Sequence, residues 1–305
     1  MKKNTPNNQP LVYIVTINWN GFDDTVECLK SLQKITYKNY KIVLVDNNSK
    51  DNQADKLEKQ FPYVKLIKNN ENTGFCIANN QGMELAMKDK ADYMLLLNND
   101  TTVAPDFLDI LIDYSQKHPK VGIVSPKINY YYNQNVVWCM GGSISILSGM
   151  TISIGKGKKA SLFTKIIQPD FASGCALLIK REVVKKIGVL DPIYFAYYED
   201  VDISYRARRA GYEIAILPKS VIWHKKSASA GYVGTNNISD FQMYQFARNS
   251  LIFMKKNLFG INKVLFFIGT MTLKFMYVFV NSKNKKNIYK FFLGIRDGLK
   301  YEKIS

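Results

Sequence analysis

The chain has 305 residues, of which 47% are apolar and 22% charged, so it can bury a large core and is not expected to be disordered. Its four cysteines (Cys28, Cys76, Cys139 and Cys175) are far apart and form no CxxC pair, which argues against a disulfide framework and a thiolate zinc site and favours a reducing cytosol. The net charge is +17, and more than half of this positive charge lies after residue 239, among aromatic and aliphatic residues. Because the sequence shows no RNA-binding or zinc-finger motif, this distribution favours an anionic membrane surface over nucleic acid as a partner.

The first hundred residues alternate between apolar runs and helical patterns. They predict strands over residues 11–17, 40–46, 63–67 and 93–98, and helices over residues 23–35, 51–61 and 75–88. Successive βα units specify an α/β fold with a mainly parallel central sheet and flanking helices. Polar residues follow the strand ends, at the edge where open α/β sheets bind ligands, so this half is expected to bind a nucleotide.

The pattern changes after Ser125. Glycine-interrupted apolar runs over residues 136–155 predict hairpin structure, residues 170–180 predict a strand, residues 194–212 a turn entering a helix, and residues 212–224 extended chain. We therefore expect a catalytic domain over residues 1–239, with a nucleotide-binding half (about 10–125) and an acceptor half (126–239). A basic helical segment over residues 240–305 follows it.

Three acidic positions could take part in chemistry. Asp46 ends a strand and could either accept an N–H of a nucleotide base or begin an Asx turn. Asp100 directly follows a buried strand, where it could bind a divalent ion or simply form a turn. Asp200 begins a helix, whose free N–H groups would keep it ionised and able to accept the proton of a sugar hydroxyl. Arg206 is spaced to share a helix face with Asp202 and Glu199 and pair with them.

His224 is one of two histidines and ends the run SVIWH before the segment KKSASAG. A lone histidine is more often structural than catalytic. A strand-end histidine before a loop rich in serine and glycine is also the kind of metal ligand that becomes ordered with substrate. Both interpretations stay open from the residues alone.

Seven motifs in order give the chain a family resemblance. TINWNG, VDNNSKD, NTGFCIANNQG, LLLNNDT, FASGCALLIKR, YFAYYEDVDISYRARRAGY and VIWHKKSAS, spread over residues 10 to 250, resemble the family 2 glycosyltransferases. The similarity is strongest to the rhamnosyltransferase-like branch that builds bacterial cell-surface polysaccharides. The resemblance implies the GT-A fold and a nucleoside-diphosphate sugar as donor, with TDP-rhamnose or a UDP-sugar favoured.

On the donor side, the resemblance assigns base recognition to Asp46 and closure over the nucleotide to the loop with Asn72 and Gly74. The remaining donor-side positions are Thr16, Asn18, Asn20, Asn98 and Asn99.

On the catalytic side, the resemblance assigns Asp200 as the base and Asp100 and His224 as ligands of Mn²⁺ or Mg²⁺. The family's DxD motif reads Asn98-Asn99-Asp100 here, so its first acid is missing. The supporting positions on the acceptor side are Ser173, Gly174, Glu199 and Arg206.

This set of residues suits an inverting transfer. A nucleoside diphosphate leaves readily once a cation neutralises its developing charge, so one base and one metal suffice. Two other functions remain open: a sugar-nucleotide nucleotidyltransferase, although NWNGFDD lacks the basic glycine-rich phosphate loop, and a catalytically silent membrane-associated binding protein. The joint presence of Asp100, Asp200 and His224 argues against the silent binding protein.

The C-terminal segment allows three arrangements. Residues 261–280 form a 20-residue apolar stretch containing Lys263 and Lys274, which favours an amphipathic helix on the membrane surface over a spanning helix or a helical pair packed on the catalytic domain. The N-terminal residues MKKNTPNNQP show no signal peptide. We therefore expect a peripheral protein on the cytoplasmic face of the membrane with a glycan or polyprenyl-linked acceptor; the oligomeric state is left open.

Overall fold

A nine-stranded sheet forms the centre of the computed structural model, which describes residues 9–225, 239–281 and 285–302. Its strand order is β3-β2-β1-β4-β10-β6-β11-β5, with β7 paired to β6. These strands are β1 (Val12–Asn18), β2 (Tyr40–Asp46), β3 (Lys65–Lys68), β4 (Tyr93–Leu97), β5 (Thr101–Val103), β6 (Val121–Tyr130), β7 (Val137–Cys139), β10 (Ala176–Lys180) and β11 (Glu213–His224).

The predicted parallel half of the sheet is confirmed. Strands β1 to β4 are mutually parallel, and β11 runs parallel to β6. Strand β10 lies antiparallel between β4 and β6, which reverses its ends relative to its neighbours. The residues just before β10 therefore meet the carboxyl ends of the parallel strands at one edge of the sheet.

Helices cover both faces of the sheet. One face carries α1 (Phe22–Leu32), α2 (Gln53–Gln60) and α4 (Phe107–Lys117), and the other carries α3 (Gly74–Lys88), α5 (Arg181–Ile187), α6 (Glu199–Arg209) and α7 (Asp240–Asn257). The strands between them are buried on both faces, as their continuous apolar runs predict.

Two predicted elements differ from the structure. The strand predicted over residues 170–180 is shorter in the structure: β10 begins at Ala176, and residues 170–175 lead up to the sheet edge. The hairpin predicted over residues 136–155 divides: β8 (Gly142–Ser145) and β9 (Met150–Ser153) form a hairpin, whereas β7 pairs with β6. Glycine-rich runs indicate turns but leave the partner of a short strand undetermined.

The C-terminal segment continues the fold after α7. It comprises α8 (Gly260–Gly269), a π-helical turn (Thr270–Lys274), α9 (Phe275–Asn281) and α10 (Lys285–Lys300). Helix α7 and parts of the later helices share one apolar core with α3 and α6, through residues such as Leu251, Phe266 and Phe291. The apolar core thus continues across the predicted boundary after residue 239.

Candidate active site

The two predicted metal ligands, Asp100 and His224, lie side by side. Strand β5, which follows Asp100, pairs antiparallel with the end of β11, so that Thr101 lies opposite His224. The Asp100 Oδ1 atom is 3.1 Å from the His224 Nε2 atom, and both side chains are buried. Within the described residues, the Nδ1 atom of His224 is buried without a hydrogen-bond partner. The sheet therefore joins two donors from distant parts of the sequence.

This pair suits a cation that binds together with a nucleotide. A carboxylate oxygen and an imidazole nitrogen are donors compatible with Mn²⁺ and Mg²⁺. No group of three or more His, Cys, Asp or Glu side chains that could hold a metal occurs in the described part of the chain. A cation held by Asp100 and His224 would thus complete its coordination with water and diphosphate oxygens, as magnesium commonly does in nucleotide sites.

Asp200 lies at the same edge of the sheet as Asp100. Its Oδ2 atom accepts a 2.9 Å hydrogen bond from the backbone N–H of Gly174, just before β10, and the neighbouring Cys175 carbonyl accepts the N–H of Asn98. Burial raises the pKa of the Asp200 carboxyl above the usual aspartate value, although backbone N–H groups oppose the shift. A partly exposed carboxylate with a raised pKa is a stronger proton acceptor than an ordinary aspartate.

Gly174 leaves space for two carboxyl groups. A Cβ atom at this position would lie 3.3 Å from Glu199 Oε1 and 3.4 Å from Asp200 Cβ. Burial and the adjacent Asp200 charge raise the pKa of Glu199 well above its usual range. Its Oε2 atom has no hydrogen-bond partner among the described atoms. The raised pKa of Glu199 favours its neutral form beside Asp200. Ser173, also buried, accepts the backbone N–H of Cys175 on its hydroxyl.

The expected pairing of Arg206 with Glu199 is wrong. Arg206 Nε donates to Asp202 Oδ2 at 2.7 Å, as predicted, and its other nitrogens donate to the backbone carbonyls of Ile187, at the end of α5, and Val189. A spacing of seven residues separates Glu199 and Arg206 by about 10 Å along the helix, which is too far for a direct pair. Arg206 thus joins α6 to the end of α5 and the residues after it.

The turn before Asp200 has a strained backbone. Tyr197 and Tyr198 have φ values of 69° and 76°, in the left-handed region that residues other than glycine rarely adopt. Asn249 of α7, fully buried, donates from Nδ2 to the carbonyls of Ala196 (2.9 Å) and Tyr197 (2.8 Å). Helix α7 therefore stabilises the conformation that places Asp200 at the helix start.

Asp46 holds the turn after β2 through a hydrogen bond from the residue three positions on, one further than in the Asx turn that the sequence offered as one alternative. Its Oδ1 atom accepts the backbone N–H of Ser49 at 2.9 Å, and its Oδ2 atom accepts the side-chain amide of Asn18 at 2.7 Å. Asn18 also accepts the Thr25 hydroxyl, and both Asn18 and Asp46 are buried. The turn aligns the ends of β1 and β2 and leaves the role of Asp46 in base recognition a prediction.

The other donor-side residues lie on the same strand-end loops. Asn20 accepts the backbone N–H of Lys50, Asn99 donates to the Thr25 hydroxyl, and Asn98 is held through its backbone at the start of β10. The Thr16 hydroxyl is buried at the end of β1 without a partner among the described atoms.

A network of amides organises the predicted nucleotide loop. Asn47 donates to Asn72 Oδ1 at 2.8 Å and accepts the backbone N–H of Thr73, while Asn72 also accepts the N–H of Gly74. Gly74 has a φ of 82°, and a Cβ atom there would lie 2.7 Å from the ring of Phe195. The donor loop thus contacts the segment that leads to Asp200.

Two residues that organise this site were not predicted from the sequence. Asn47 was missed, although it occurs in the polar run VDNNSKD. Asn249 was also missed, and it lies in an ordinary helical pattern with no signal of its contact with the catalytic turn.

The predicted base Asp200 and the predicted metal ligands Asp100 and His224 suit sugar transfer. Comparison with known proteins decides the family. The profile of glycosyl transferase family 2 matches residues 13–188. The chain belongs to this family. The predicted enzyme class, a glycosyltransferase, is thereby confirmed.

Among relatives, this family 2 glycosyltransferase resembles a rhamnosyltransferase, as predicted. The N-acetylglucosaminyl-diphospho-decaprenol L-rhamnosyltransferase of Mycobacterium tuberculosis is 24% identical over 236 residues, covering 72% of this chain and 77% of that protein. The poly-beta-1,6-N-acetyl-D-glucosamine synthase of Staphylococcus epidermidis is 25% identical over 210 residues, covering 67% of this chain but 47% of that protein.

Solved structures confirm the GT-A fold. S. aureus TarS 1-349 superposes with a TM-score of 0.59 at 13% identity, covering 95% of this chain and 80% of that one. The mannosyltransferase PcManGT from Pyrobaculum calidifontis, in complex with GDP-Man and Mn²⁺, gives a TM-score of 0.57 at 13% identity, covering 96% and 86%. GalNAc-T7 with UDP, GalNAc and Mn²⁺ gives 0.60 at 18% identity, covering 79% and 47%.

Proposed function

We propose that this family 2 glycosyltransferase is an inverting, metal-dependent enzyme. In this proposal it moves a sugar from a nucleoside-diphosphate donor, TDP-rhamnose or a UDP-sugar, to a hydroxyl of a growing cell-surface glycan or a lipid-linked acceptor. The observation that supports it is the gathering of Asp200 and the Asp100–His224 pair at one sheet edge. The donor, the acceptor and the cytoplasmic membrane location are part of the proposal.

Asp200 performs the proton transfer in this mechanism. Its carboxylate, held by the Gly174 N–H, accepts the proton of the acceptor hydroxyl as the oxygen attacks C1 of the sugar. The bond from C1 to the diphosphate oxygen breaks on the opposite face, and the nucleoside diphosphate leaves with the electron pair. This single displacement inverts the anomeric centre. Asp100 and His224 would hold a divalent cation, which supplies charge neutralisation at the leaving diphosphate.

The relatives support the choice of acceptor class. The name of the mycobacterial relative describes an acceptor attached through diphosphate to decaprenol. That protein covers most of the length of this chain, so we infer a lipid-linked or glycan acceptor here as well.

A donor panel tests the function. Full-length protein is incubated with UDP-, TDP- and GDP-sugars, with and without Mn²⁺, and product release is measured. Metal-dependent release of a nucleoside diphosphate, abolished in Asp200→Asn, is expected. Release of inorganic pyrophosphate from a nucleoside triphosphate and a sugar phosphate would indicate the nucleotidyltransferase, and nucleotide binding without any product would indicate the silent binding protein.

A further inference from the structure

The helix from Gly260 to Val280, composed of α8, the π-helical turn and the start of α9, has two contrasting faces. One face packs on the catalytic domain through a buried stripe of Phe266, Gly269, Thr270 and Lys274. The Lys274 ammonium donates to the Phe246 carbonyl of α7 at 3.2 Å. Because π-helical hydrogen bonds widen the helical turn, the side chains of Phe266, Thr270 and Lys274, which are four residues apart, stay on one face. The helix is thereby fixed along its length.

The opposite face is an exposed apolar ridge. Its members are 49% to 68% exposed: Ile261, Val264, Ile268, Leu273, Met276 and Phe279. The helix has 21 residues and is long and apolar enough to cross a bilayer. Crossing would remove Lys274 and Thr270 from the catalytic domain and place them in lipid, at a large free-energy cost. A contiguous apolar face on a helix held from behind instead suits shallow insertion into a membrane interface.

Charge specifies the chemistry of the surface that covers the ridge. From Phe241 to Arg296 the sequence contains ten lysine and arginine residues and no aspartate or glutamate. Lys256 and Lys274 bond to groups of the catalytic domain, whereas Lys263, Lys286 and Arg296 are exposed. Each basic residue near an anionic lipid surface contributes an attraction that falls off within about a Debye length, ~10 Å. Such a one-sided charge run would repel a second copy of the same surface.

The same helix contacts the catalytic turn. The Lys274 ammonium lies 5.6 Å from the ring centroid of Tyr198, two residues before Asp200. Phe246 of α7, whose carbonyl accepts from Lys274, packs 4.7 Å from the ring of Tyr197. The apolar ridge lies on the other side of the helix, about one helix diameter (~10 Å) away. Seating the ridge in a bilayer would hold the acceptor side of the site close to the lipid surface.

We propose that the Gly260–Val280 helix lies in the interface of an anionic bilayer, with the apolar ridge among the acyl chains and the buried stripe on the catalytic domain. This arrangement brings Asp200 to an acceptor anchored in the same membrane, a consequence that rests on the proposed function. The helix does not cross the bilayer.

Site-specific labelling tests the face of contact. All four native cysteines are buried, so Ile268→Cys in the full chain can be labelled selectively with an environment-sensitive fluorophore. Vesicles of phosphatidylcholine containing phosphatidylglycerol should shift its emission to the blue, and pure phosphatidylcholine vesicles should shift it much less. Tyr63→Cys, 48% exposed at the β3 edge of the sheet, is the matched control and should show no shift. Equal shifts at both positions would overturn the proposal.

Charge substitution on the ridge tests its energetic role. The double variant Ile268→Glu with Met276→Glu should lower binding to anionic vesicles by about tenfold or more, because two apolar contacts with lipid are lost and two negative charges are added. Tyr63→Glu should bind like wild type. Unchanged binding of the double variant would overturn the proposal, and the labelling result decides the question if that variant fails to fold.

Other occupants of the ridge give distinct results. Absence of vesicle binding, together with a concentration-dependent dimer that the double variant disrupts, would show that a second copy covers the ridge. Protein that only detergent extracts from vesicles, and not high salt with alkaline carbonate, would show a spanning helix. Either result contradicts the proposal. Donor hydrolysis by the wild-type protein in solution is measured in parallel. If the wild-type protein hydrolyses no donor, the proposed function is contradicted, but the vesicle result still stands.

Discussion

Two parts of the candidate site are built in different ways: the strand ends with the predicted donor-binding residues, here called the donor edge, and the Tyr197–Tyr198 turn before Asp200, here called the catalytic turn. At the donor edge, Asn18, Asp46 and Ser49 bond to one another across two consecutive βα units. The turn that positions Asp200 depends instead on Gly174, 26 residues earlier, and Asn249, 52 residues after Tyr197. The donor edge thus follows from a local repeat in the sequence, whereas the catalytic turn depends on parts of the chain that meet only in the folded protein.

The largest effect is expected for the base itself. Asp200→Asn keeps the shape of the side chain but removes the proton acceptor, so turnover should fall by roughly two or more orders of magnitude. Nucleoside-diphosphate affinity, measured by titration calorimetry, should stay near that of wild type because the donor edge is intact. Near-normal turnover would remove Asp200 from the mechanism.

The metal pair should affect donor binding. Asp100→Ala and His224→Ala should each weaken Mn²⁺-dependent UDP or TDP affinity by about tenfold or more, ~1.4 kcal/mol, since each removes one of the two proposed protein ligands. His118→Ala, which changes an exposed histidine at the end of α4, is the control and should bind normally. Unchanged metal-dependent affinity in both variants would make the metal assignment wrong.

The contact of α7 with the catalytic turn should affect turnover and leave donor binding intact. Asn249→Asp is isosteric but loses the amide that donates to two carbonyls, so turnover should fall about tenfold as the strained turn relaxes. Gln245→Glu makes the same chemical change at a buried amide of α7 whose Oε1 atom has no hydrogen-bond partner among the described atoms. This control should keep wild-type turnover once thermal unfolding shows both variants folded. Equal losses in the two variants would indicate a general effect on α7.

The smallest expected effect is on the pH profile. Asp200 accepts a proton only when ionised, and burial raises its pKa, so turnover should decline as the pH falls through a value above that of an ordinary aspartate. Glu199→Gln replaces a carboxyl whose raised pKa favours the neutral form, and it should leave this acid limb in place. The test is the pH dependence of kcat at saturating donor. An acid limb at the ordinary aspartate value would contradict the raised pKa.

The βα repeat and the polar strand ends were readable in the sequence because a strand buried on both faces needs a continuous apolar run. The family motifs added the candidate roles of Asp46, Asp100, Asp200 and His224. Strand periodicity left two features undetermined: the antiparallel insertion of β10 and the partner of β7. Both depend on which edges are free when the strands assemble.

Periodicity and composition were enough to predict the parallel sheet, the polar edge and the basic character of the C-terminal helices, because these features depend on local patterns alone. The tertiary structure decided three other features: the meeting of Asp100 with His224, the support of the Tyr197–Tyr198 turn by Asn249, and the burial of Lys274 beneath an exposed ridge. Each of these joins residues far apart in sequence, and no local pattern encodes which buried polar group will reach which partner. The pairing of β5 with β11 fixes the first of these contacts, and the core packing of α7 and the Gly260–Val280 helix fixes the other two.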